Sequence, residues 1–377
     1  MSRRGRGEGN LYQRKDGLWV GRVSLGFAAG KRRRKVIYGK TRKEAAERLV
    51  MVLRARHRGE PISTERLAVG KYLESWLGTI QPNVRDSTFI RYSQLVHRHL
   101  VPRIGRLVLS RLTPQDCAAA YAAMVAEGLA PRTAGHAHRV LGRALRDAEI
   151  AGLVARNVAR LTRPPRVPQT EMLTLNAEQS RSLLAAANGD RLAALYSLGL
   201  ATGAREGELL GLKWSDIDWD AGVVRVRRTL QRTLEGYELG EPKTQASRRS
   251  IPLGSGTLDA LRRHRTEQLE ERLAAGPAFE DLSLVFCDQL GRPLNGRHVV
   301  DVFRRLLARA RLPRLRFHDL RHTAATLLLA AGTHPRVVAE RLGHSTPAIT
   351  LAVYSHVTPT MQREATATLD AMLARRT

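Results

Sequence analysis

Three side chains that can hold an anion lie close together in the segment "FHDLRHT", residues 317–323. His318 and Arg321 are three residues apart, so on a helix they share one face near its N-terminus, an end that Asp319 also suits. That face offers hydrogen-bond donors to a phosphate. His318 and His322 have the i, i+4 spacing of a metal-binding pair, but the Glu of an HEXXH pattern is absent and no Cys is near. We therefore favour an anion site over a metal site, and we interpret His322 as a structural residue.

A further cation, Arg205, lies where the segment "ATGAREGELLGL" opens a helix after a Thr-Gly break. A positive charge in the first turn opposes the helix macrodipole, so Arg205 is locally unfavourable unless it faces an anion. A surface ion pair with Glu208, three residues later, explains the same residue equally well. Arg205 is therefore an anion-binding candidate with an open alternative.

Lysine is rare in this chain, and only Lys213 and Lys243 follow residue 170. Unlike Arg, Lys can release a proton at working pH, so these two residues are candidate proton donors. Lys243 lies in "EPKTQASRRSIPL", where Pro, Thr and Gln predict the turn of a hairpin from which a side chain can reach a substrate. Lys213 follows a helix, and an interaction with the C-terminal carbonyls of that helix explains it without chemistry.

The segment "LGHSTPAITLAVYSHV" places His344 before a Ser-Thr-Pro sequence that predicts the start of a short helix, and Tyr354 follows near the end of that helix. A single Tyr is usually a core residue. Few tyrosines follow residue 170, however, and one of them, Tyr196, lies in an apolar helix that is expected to be buried. Tyr354 is therefore a candidate nucleophile.

The composition indicates a polyanionic partner, because the 377 residues carry a formal net charge of +28 and the sequence pI is about 11.3. Nucleic acid is the partner that this charge favours. Cys117 and Cys287 are the only cysteines, and they have no paired spacing and no secretory signal, so a disulfide framework and a cysteine-ligated zinc site are unsupported. The apolar runs are shorter than the roughly 20 residues of a membrane span. We expect a soluble protein of the reducing cytoplasm.

Positive charge is concentrated in residues 1–60, which hold 18 Lys/Arg against 5 Asp/Glu. Short strands are predicted in "LYQRKDGLWVGRVSLG" and "RRRKVIYG", with a turn at "KDG", and a helix is predicted after a Thr N-cap in "TRKEAAERLVMVLRARHRG". A small Arg-rich sheet with one helix, carrying Trp19 and Tyr38, suits a DNA-reading module. A charged tail is the alternative.

Residues 66–162 show helical patterns throughout, with Asp, Thr or Pro at segment starts and Gly at segment ends, and predict a small helical bundle. Four histidines in it lie among arginines and are interpreted as surface or phosphate-contacting groups: His97, His99, His136 and His138. A proline-rich break at 162–170 predicts a linker. Residues 171–377 predict a third, mixed α and β domain with a helical majority.

Four segments together resemble the tyrosine recombinase, or phage integrase, family. They are "ATGAREGELLGLKWSDID", "PKTQASRRSIPL", "HDLRHTAATLLLAAG" and "LGHSTPAITLAVYSHV", which occur in the order and at the spacing of that family. The resemblance implies an arm-type DNA-binding domain over residues 1–60, a helical core-binding domain over 66–162 and a catalytic domain over 171–377. The implied fold is mixed α+β and mainly helical, with small sheets in the first and last domains.

The resemblance also implies the chemistry. The catalytic set of the family falls on six residues, and none of them departs from the family pattern: Arg205, Lys243, His318, Arg321, His344 and Tyr354. Tyrosine attack on a DNA phosphodiester gives a 3′-phosphotyrosyl intermediate that needs neither a metal nor a cofactor. The implied partner is double-stranded DNA with core and arm attachment sites, on which a homotetramer assembles, with an excisionase or a host DNA-bending factor as accessory protein.

Two other classes of protein share parts of this pattern. A type IB topoisomerase uses the same phosphotyrosine chemistry but acts as a monomer, and the separate N-terminal module disfavours it. A DNA-binding regulator of the same fold need not keep Tyr354, Lys243 and both arginines, and their joint presence disfavours that class.

Overall fold

A computed structural model of the chain describes residues 10–28, 31–57, 67–168, 172–241, 248–344, 346, 366–367, 369–370 and 373. The chain forms two compact units, residues 1–169 and 170–377. Helices predominate, and the sheets are small and antiparallel, which confirms the predicted fold class. None of the helices within the described ranges has the length and apolar character that crossing a bilayer requires.

The first unit begins with a three-stranded sheet, β1 (Asn10–Gln13), β2 (Trp19–Ala28) and β3 (Lys31–Gly39), in the order β1-β2-β3. Helix α1 (Arg42–His57) follows it. As predicted, Thr41 caps α1, since its hydroxyl accepts from the backbone N–H of Glu44 at 3.2 Å. Val23, Ile37 and Leu49 form the core between sheet and helix.

A helical bundle makes up the rest of this unit, as the apolar periodicity predicts. Its helices are α2 (Val69–Ile80), α3 (Asp86–Leu95), α4 (Val101–Ile104), α5 (Pro114–Ala126) and α6 (Pro131–Ile150), with a π-helical turn, Val96–Leu100, joining α3 to α4. The expectation for His138 was wrong: its ring packs edge-on against the buried Tyr121 at 5.4 Å between ring centroids, so it is a half-buried packing group.

The second unit combines seven helices of the described chain with two small sheets. The helices are α7 (Ala177–Ala186), α8 (Ala193–Thr202), α9 (Glu206–Leu210), α10 (Ser255–Ala275), α11 (Gly296–Arg309), α12 (Asp319–Ala330) and α13 (Pro335–Leu342). Strands β4 (Ile217–Asp218), β5 (Val223–Val226) and β8 (Arg249–Pro252) form one sheet, and β6 (Thr229–Arg232) and β7 (Tyr237–Gly240) form the other. The core forms around Tyr196, Phe286, Phe303 and Phe317, which are at most 3% exposed.

One hairpin of this unit lies within the described residues. β6 pairs with β7, and the turn between them closes where the N–H of Thr233 donates to the carbonyl of Gly236 at 2.9 Å. Gly236 has a φ of 142°, which glycine adopts readily. β8 pairs with β5 and not with β7, so the segment 242–247 that contains Lys243 falls between the two sheets in the chain order. That segment itself lies outside the described residues.

Candidate active site

Four helix ends meet in the second unit. Helices α8 and α13 end there, and the residue after each is a glycine in the left-handed region, Gly203 with φ 61° and Gly343 with φ 69°. Helices α9 and α12 begin there, after Arg205 and His318. Helix starts offer N–H donors and helix ends offer carbonyl acceptors, so the region has acceptors that can orient arginines and donors that can receive an anion.

Gly203 allows these helices to approach one another. A Cβ at this position would collide with Cδ2 of Leu342 and would contact Cβ of Ala324 at 3.4 Å. The positive φ is a second reason for glycine, because L side chains rarely adopt it. The Thr-Gly break in the sequence thus marks the place where α13 packs against the end of α8.

Arg321 is 4% exposed and is held by two of the converging helix ends. Its Nη1 donates to the carbonyl of Gly203 at 2.8 Å and to the carbonyl of Leu342 at 2.7 Å. Carbonyl oxygens orient a guanidinium without neutralising its charge. These two hydrogen bonds therefore fix Arg321 as a preorganised cation, a group suited to developing negative charge.

Arg205 occupies the N-cap position of α9, and its side chain is 41% exposed. Nη1 donates to Oε1 of Glu208 at 2.7 Å, the backbone N–H donates to Oε2 of the same carboxylate at 3.0 Å, and Nη2 lies 3.4 Å from the carbonyl of Gly343. The ion pair that the sequence left open therefore forms. It is no surface pair, because Glu208 is 3% exposed and also accepts from Nη2 of Arg249 at 2.9 Å.

Three histidines complete the cluster. His318 is the N-cap residue of α12 and exposes part of its surface, and its ring contacts that of His322 edge-on at 5.3 Å between centroids. His344 follows Gly343, and its N–H donates to the carbonyl of Ala339 at 2.9 Å. Burial, Arg321 and Arg205 lower the pKa of His344 to about 4. Partial burial, His322 and Arg321 lower the pKa of His318 as well, so at neutral pH both rings are neutral and able to accept a proton.

We expect the melting temperature to fall as the pH is lowered from 7 to 5. The folded chain lowers the pKa values of His318, His322 and His344, so the unfolded chain binds protons that the folded chain refuses. This part of the stability is complete above the unfolded pKa near 6.5 and is lost as the pH falls toward 4. The loss is at most about 1.4 kcal/mol per pH unit for each histidine, and less where solvent reaches the ring.

Thermal melts of His344→Gln across this range test the expectation. The variant lacks one of the three groups, so its melting temperature should depend less steeply on pH than that of the parent protein. His298→Gln, at an exposed residue of α11, is the matched control. Equal pH dependence in the parent and in His344→Gln would contradict the assignment.

The structure thus brings together four of the six residues predicted for the site, namely Arg205, His318, Arg321 and His344. Lys243 and Tyr354 lie outside the described residues. Of the other tyrosines in this unit, Tyr196 is fully buried in the core and Tyr237 is 37% exposed on β7.

Three further residues belong to the cluster. His322, which was expected to be structural, lies close enough to lower the pKa values of both His318 and His344. Arg249 and Arg341, for which the sequence predicted no role, line a cavity of about 760 Å³ between β8 and α13 that reaches His344. Spacing along the chain carries no signal for Arg249, because its partner Glu208 is 41 residues away.

Family models match both units. The phage integrase family matches residues 173–361, and the N-terminal SAM-like domain of phage integrases matches residues 68–124. A protein of Caldanaerobacter subterraneus named as a tyrosine recombinase XerC-like protein is 30% identical over 361 residues, which cover 90% of this chain and 92% of the relative. An integrase of Streptomyces ambofaciens is 31% identical over 380 residues, which cover 96% and 95%.

Solved structures show the same architecture. The Tn1549 transposon integrase in complex with transposon right end DNA has a TM-score of 0.67 at 25% identity, over 79% of this chain and 99% of that one. A lambda integrase dimer bound to a core site has a TM-score of 0.58 at 18% identity, over 94% and 96%, and shares the fold. Because these relatives are recombinases and integrases, the two alternative classes, a type IB topoisomerase and a DNA-binding regulator, are not favoured. Family match and full-length similarity agree: the chain belongs to the phage integrase family and is a tyrosine-type site-specific recombinase.

Proposed function

We propose that Tyr354 attacks a DNA phosphodiester and that Arg205 and Arg321 bind the non-bridging oxygens of that phosphate. The convergence of the two guanidiniums with His318 and His344 at four helix ends is the observation that carries this proposal. Attack builds negative charge on the phosphate oxygens, and preorganised cations in a partly buried site stabilise it most effectively. Arg205 and Arg321 would supply this stabilisation of the phosphate charge.

Proton transfers accompany the two bond changes. A bond forms between the Tyr354 oxygen and phosphorus, while His318 takes the phenolic proton and His344 donates a hydrogen bond to a phosphate oxygen. The bond between phosphorus and the 5′ oxygen breaks, and Lys243 gives that oxygen a proton. The product is a 3′-phosphotyrosyl link. The 5′ hydroxyl of a partner strand reverses the attack, so the bond energy is conserved and rejoining needs no ATP.

The helical bundle is proposed to bind the core site. Burial and nearby positive charges lower the pKa values of two histidines of the bundle, His99 and His136. The charges near His99 are those of Arg91, Arg98 and Arg103. Those near His136 are Arg91, Arg132 and Arg139. These basic residues of α3, the π-helical turn, α4 and α6 suit a phosphate backbone. This assignment treats residues 66–162 as the core-binding domain and 171–377 as the catalytic domain.

Residues 1–60 are proposed to bind arm-type sites. The face of the sheet opposite α1 carries Arg22, 5.2 Å from the ring of Tyr12, and the exposed Val36 and Tyr38 of β3. Strands with this mixture of cations and aromatic rings fit a DNA groove.

The proposed role is integration or excision of a mobile element in the bacterial cytoplasm. A protein that binds two kinds of DNA site, core and arm, suits that role. A lambda integrase tetramer bound to a Holliday junction is similar at a TM-score of 0.57, and we propose the same tetramer here, assisted by an excisionase or a DNA-bending protein.

Covalent capture tests the proposed function. The protein is incubated with DNA fragments that flank its gene, denatured, and recovered with any DNA that stays attached. Sequencing of the recovered strands should locate one cleavage site within a repeated sequence, and protease digestion should leave a phosphotyrosine on a 3′ end. Recovery of no covalently attached DNA, or attachment through a 5′ phosphate, would refute the proposal.

Deletion of residues 1–60 should remove binding to arm sites and flatten the salt dependence of affinity for long attachment DNA. The deleted segment carries a net charge of +13, and each phosphate that it no longer neutralises reduces the slope of log K against log salt by roughly 0.9. Titrations of parent and truncated protein at several salt concentrations measure this slope. Cleavage of a duplex that holds only the core site should persist, as the control. Identical slopes for the two proteins would show that the module does not bind DNA.

A further inference from the structure

Arg249 joins two parts of the candidate active site, although its side chain is only 5% exposed. Its Nη2 donates to Oε2 of Glu208 at 2.9 Å, and its Nε donates to the carbonyl of Arg341 at 2.6 Å. Glu208 is the carboxylate that binds Arg205, and Arg341 lies in the last turn of α13, which leads through Gly343 to His344. One guanidinium therefore contacts both the acidic partner of Arg205 and the helix end next to His344.

The charges of this group depend on Arg249. Burial by itself would raise the pKa of the Glu208 carboxyl, but the positive charges of Arg249 and Arg205 lower it below its ordinary value, so Glu208 is ionised at neutral pH. Two guanidiniums and one carboxylate carry a net charge of +1. Without Arg249, Glu208 and Arg205 would form a neutral pair. A neutral pair stabilises the negative charge that develops on the phosphate during cleavage less than a group with a positive charge does.

Loss of Arg249 would also change the hydrogen bonds of Arg205. In the structure, the two oxygens of the Glu208 carboxylate have different partners: Oε1 accepts from Nη1 of Arg205, and Oε2 accepts from Nη2 of Arg249 and from the Arg205 backbone N–H. Removal of Arg249 leaves a buried carboxylate that must be compensated by another donor. The nearest cation is Arg205, whose half-exposed side chain can turn toward both oxygens in a bidentate pair. Donors engaged in that pair would no longer face a phosphate.

We propose that Arg249 is a positioning residue: by sharing Glu208 and binding the Arg341 carbonyl, it keeps the charge and the donors of Arg205 available to the scissile phosphate. The role is one of positioning because the described contacts of Arg249 are with Glu208 and with the Arg341 carbonyl. The inference rests on the proposed function, since it assigns phosphate binding to Arg205.

A double-mutant cycle between Arg249→Met and Glu208→Gln tests the proposal. Single-turnover cleavage is measured on a nicked duplex carrying the site recovered by covalent capture, and affinity for the same duplex is measured by gel shift. Arg249→Met should cleave more slowly by a factor on the order of 10², the reduction that follows from a small misplacement of a catalytic group, with affinity little changed. Glu208→Gln keeps the shape of the side chain and removes its charge.

The effect of Arg249→Met should largely vanish in the Glu208→Gln background, because no carboxylate remains to draw Arg205 away from the phosphate. A residue that only stabilises the fold would slow cleavage equally in both backgrounds. Equal factors in the two backgrounds would therefore overturn the proposal, and so would a decrease in affinity that accounts for the whole effect in Arg249→Met.

Arg292→Met is the matched control, since Arg292 lies in the same unit away from this cavity and forms an exposed pair with Glu280. It should cleave at the parent rate, and a reduction as large as that of Arg249→Met would also overturn the proposal. Thermal melts show whether each variant folds. Should Arg249→Met not fold, Arg249→Lys takes its place in the cycle, because a single ammonium does not reproduce a guanidinium that spans two acceptors. Absence of covalent product from the parent protein would refute the proposed function, whereas an active parent without coupling refutes only the role of Arg249.

Discussion

Tyr354→Phe is expected to abolish covalent attachment of the protein to DNA while leaving DNA affinity nearly unchanged. The substitution removes one hydroxyl, which is the proposed nucleophile, and leaves the basic surfaces of both units in place. Loss of a nucleophile lowers turnover by a factor on the order of 10⁴ or more, because the remaining groups only bind and polarise the substrate. Denaturing electrophoresis of labelled core-site DNA after incubation with each protein measures the covalent product.

Tyr237→Phe is the matched control for this experiment, since Tyr237 lies on β7 in the same unit and is 37% exposed. It should give the covalent product at the parent level. A protein-linked band that persists with Tyr354→Phe would show that the nucleophile has been misassigned. A band that disappears with Tyr237→Phe instead would identify the other tyrosine.

Lys243→Ala is expected to slow cleavage of ordinary DNA by a factor on the order of 10² to 10⁴, the contribution of a general acid. The leaving 5′ oxygen becomes a strongly basic alkoxide unless it receives a proton, whereas a thiol has a much lower pKa, about 8.5, and leaves readily as a thiolate. A substrate with sulfur in place of the bridging 5′ oxygen needs little protonation. Much of the lost rate should therefore return on that substrate.

Lys213→Ala is the control for the lysine experiment. Lys213 precedes a 3₁₀ turn, Trp214–Asp216, and its backbone N–H donates to Asp216, so the structure gives it a local role. Cleavage by Lys213→Ala should stay near the parent rate on both substrates. If Lys243→Ala is equally slow on both, its role is electrostatic or structural, and if only Lys213→Ala is rescued by sulfur, the general acid is Lys213.

Local pattern was sufficient for most of the secondary structure. Thr41 before α1, the apolar spacing of the bundle and the Gly that ends α8 each depend on neighbours within a few residues, and the structure has these elements where the sequence predicts them. His318 and Arg321 share the start of α12 for the same reason. Net charge likewise depends only on composition, so the composition alone indicates a nucleic-acid partner.

Pairings between distant parts of the chain were decided by tertiary structure alone. Strand pairing puts a hairpin turn at Gly236 and joins β8 to β5, and neither pairing is predicted by residues close in the chain. His138 was expected at the surface because its neighbours are charged, but the helix turns its ring onto Tyr121.

The arginines show the same division most clearly. Sequence spacing identified Arg205 and offered only the nearby Glu208 as its partner. The packing of the helix ends decides the rest. It buries Glu208 and brings Arg249 to it from 41 residues away. It also brings two carbonyls, 118 and 21 residues away in the chain, to the guanidinium of Arg321. Sequence periodicity reports which face of an element is apolar. It does not report which other element covers that face, so the partners of a buried charge are set only when the chain is folded.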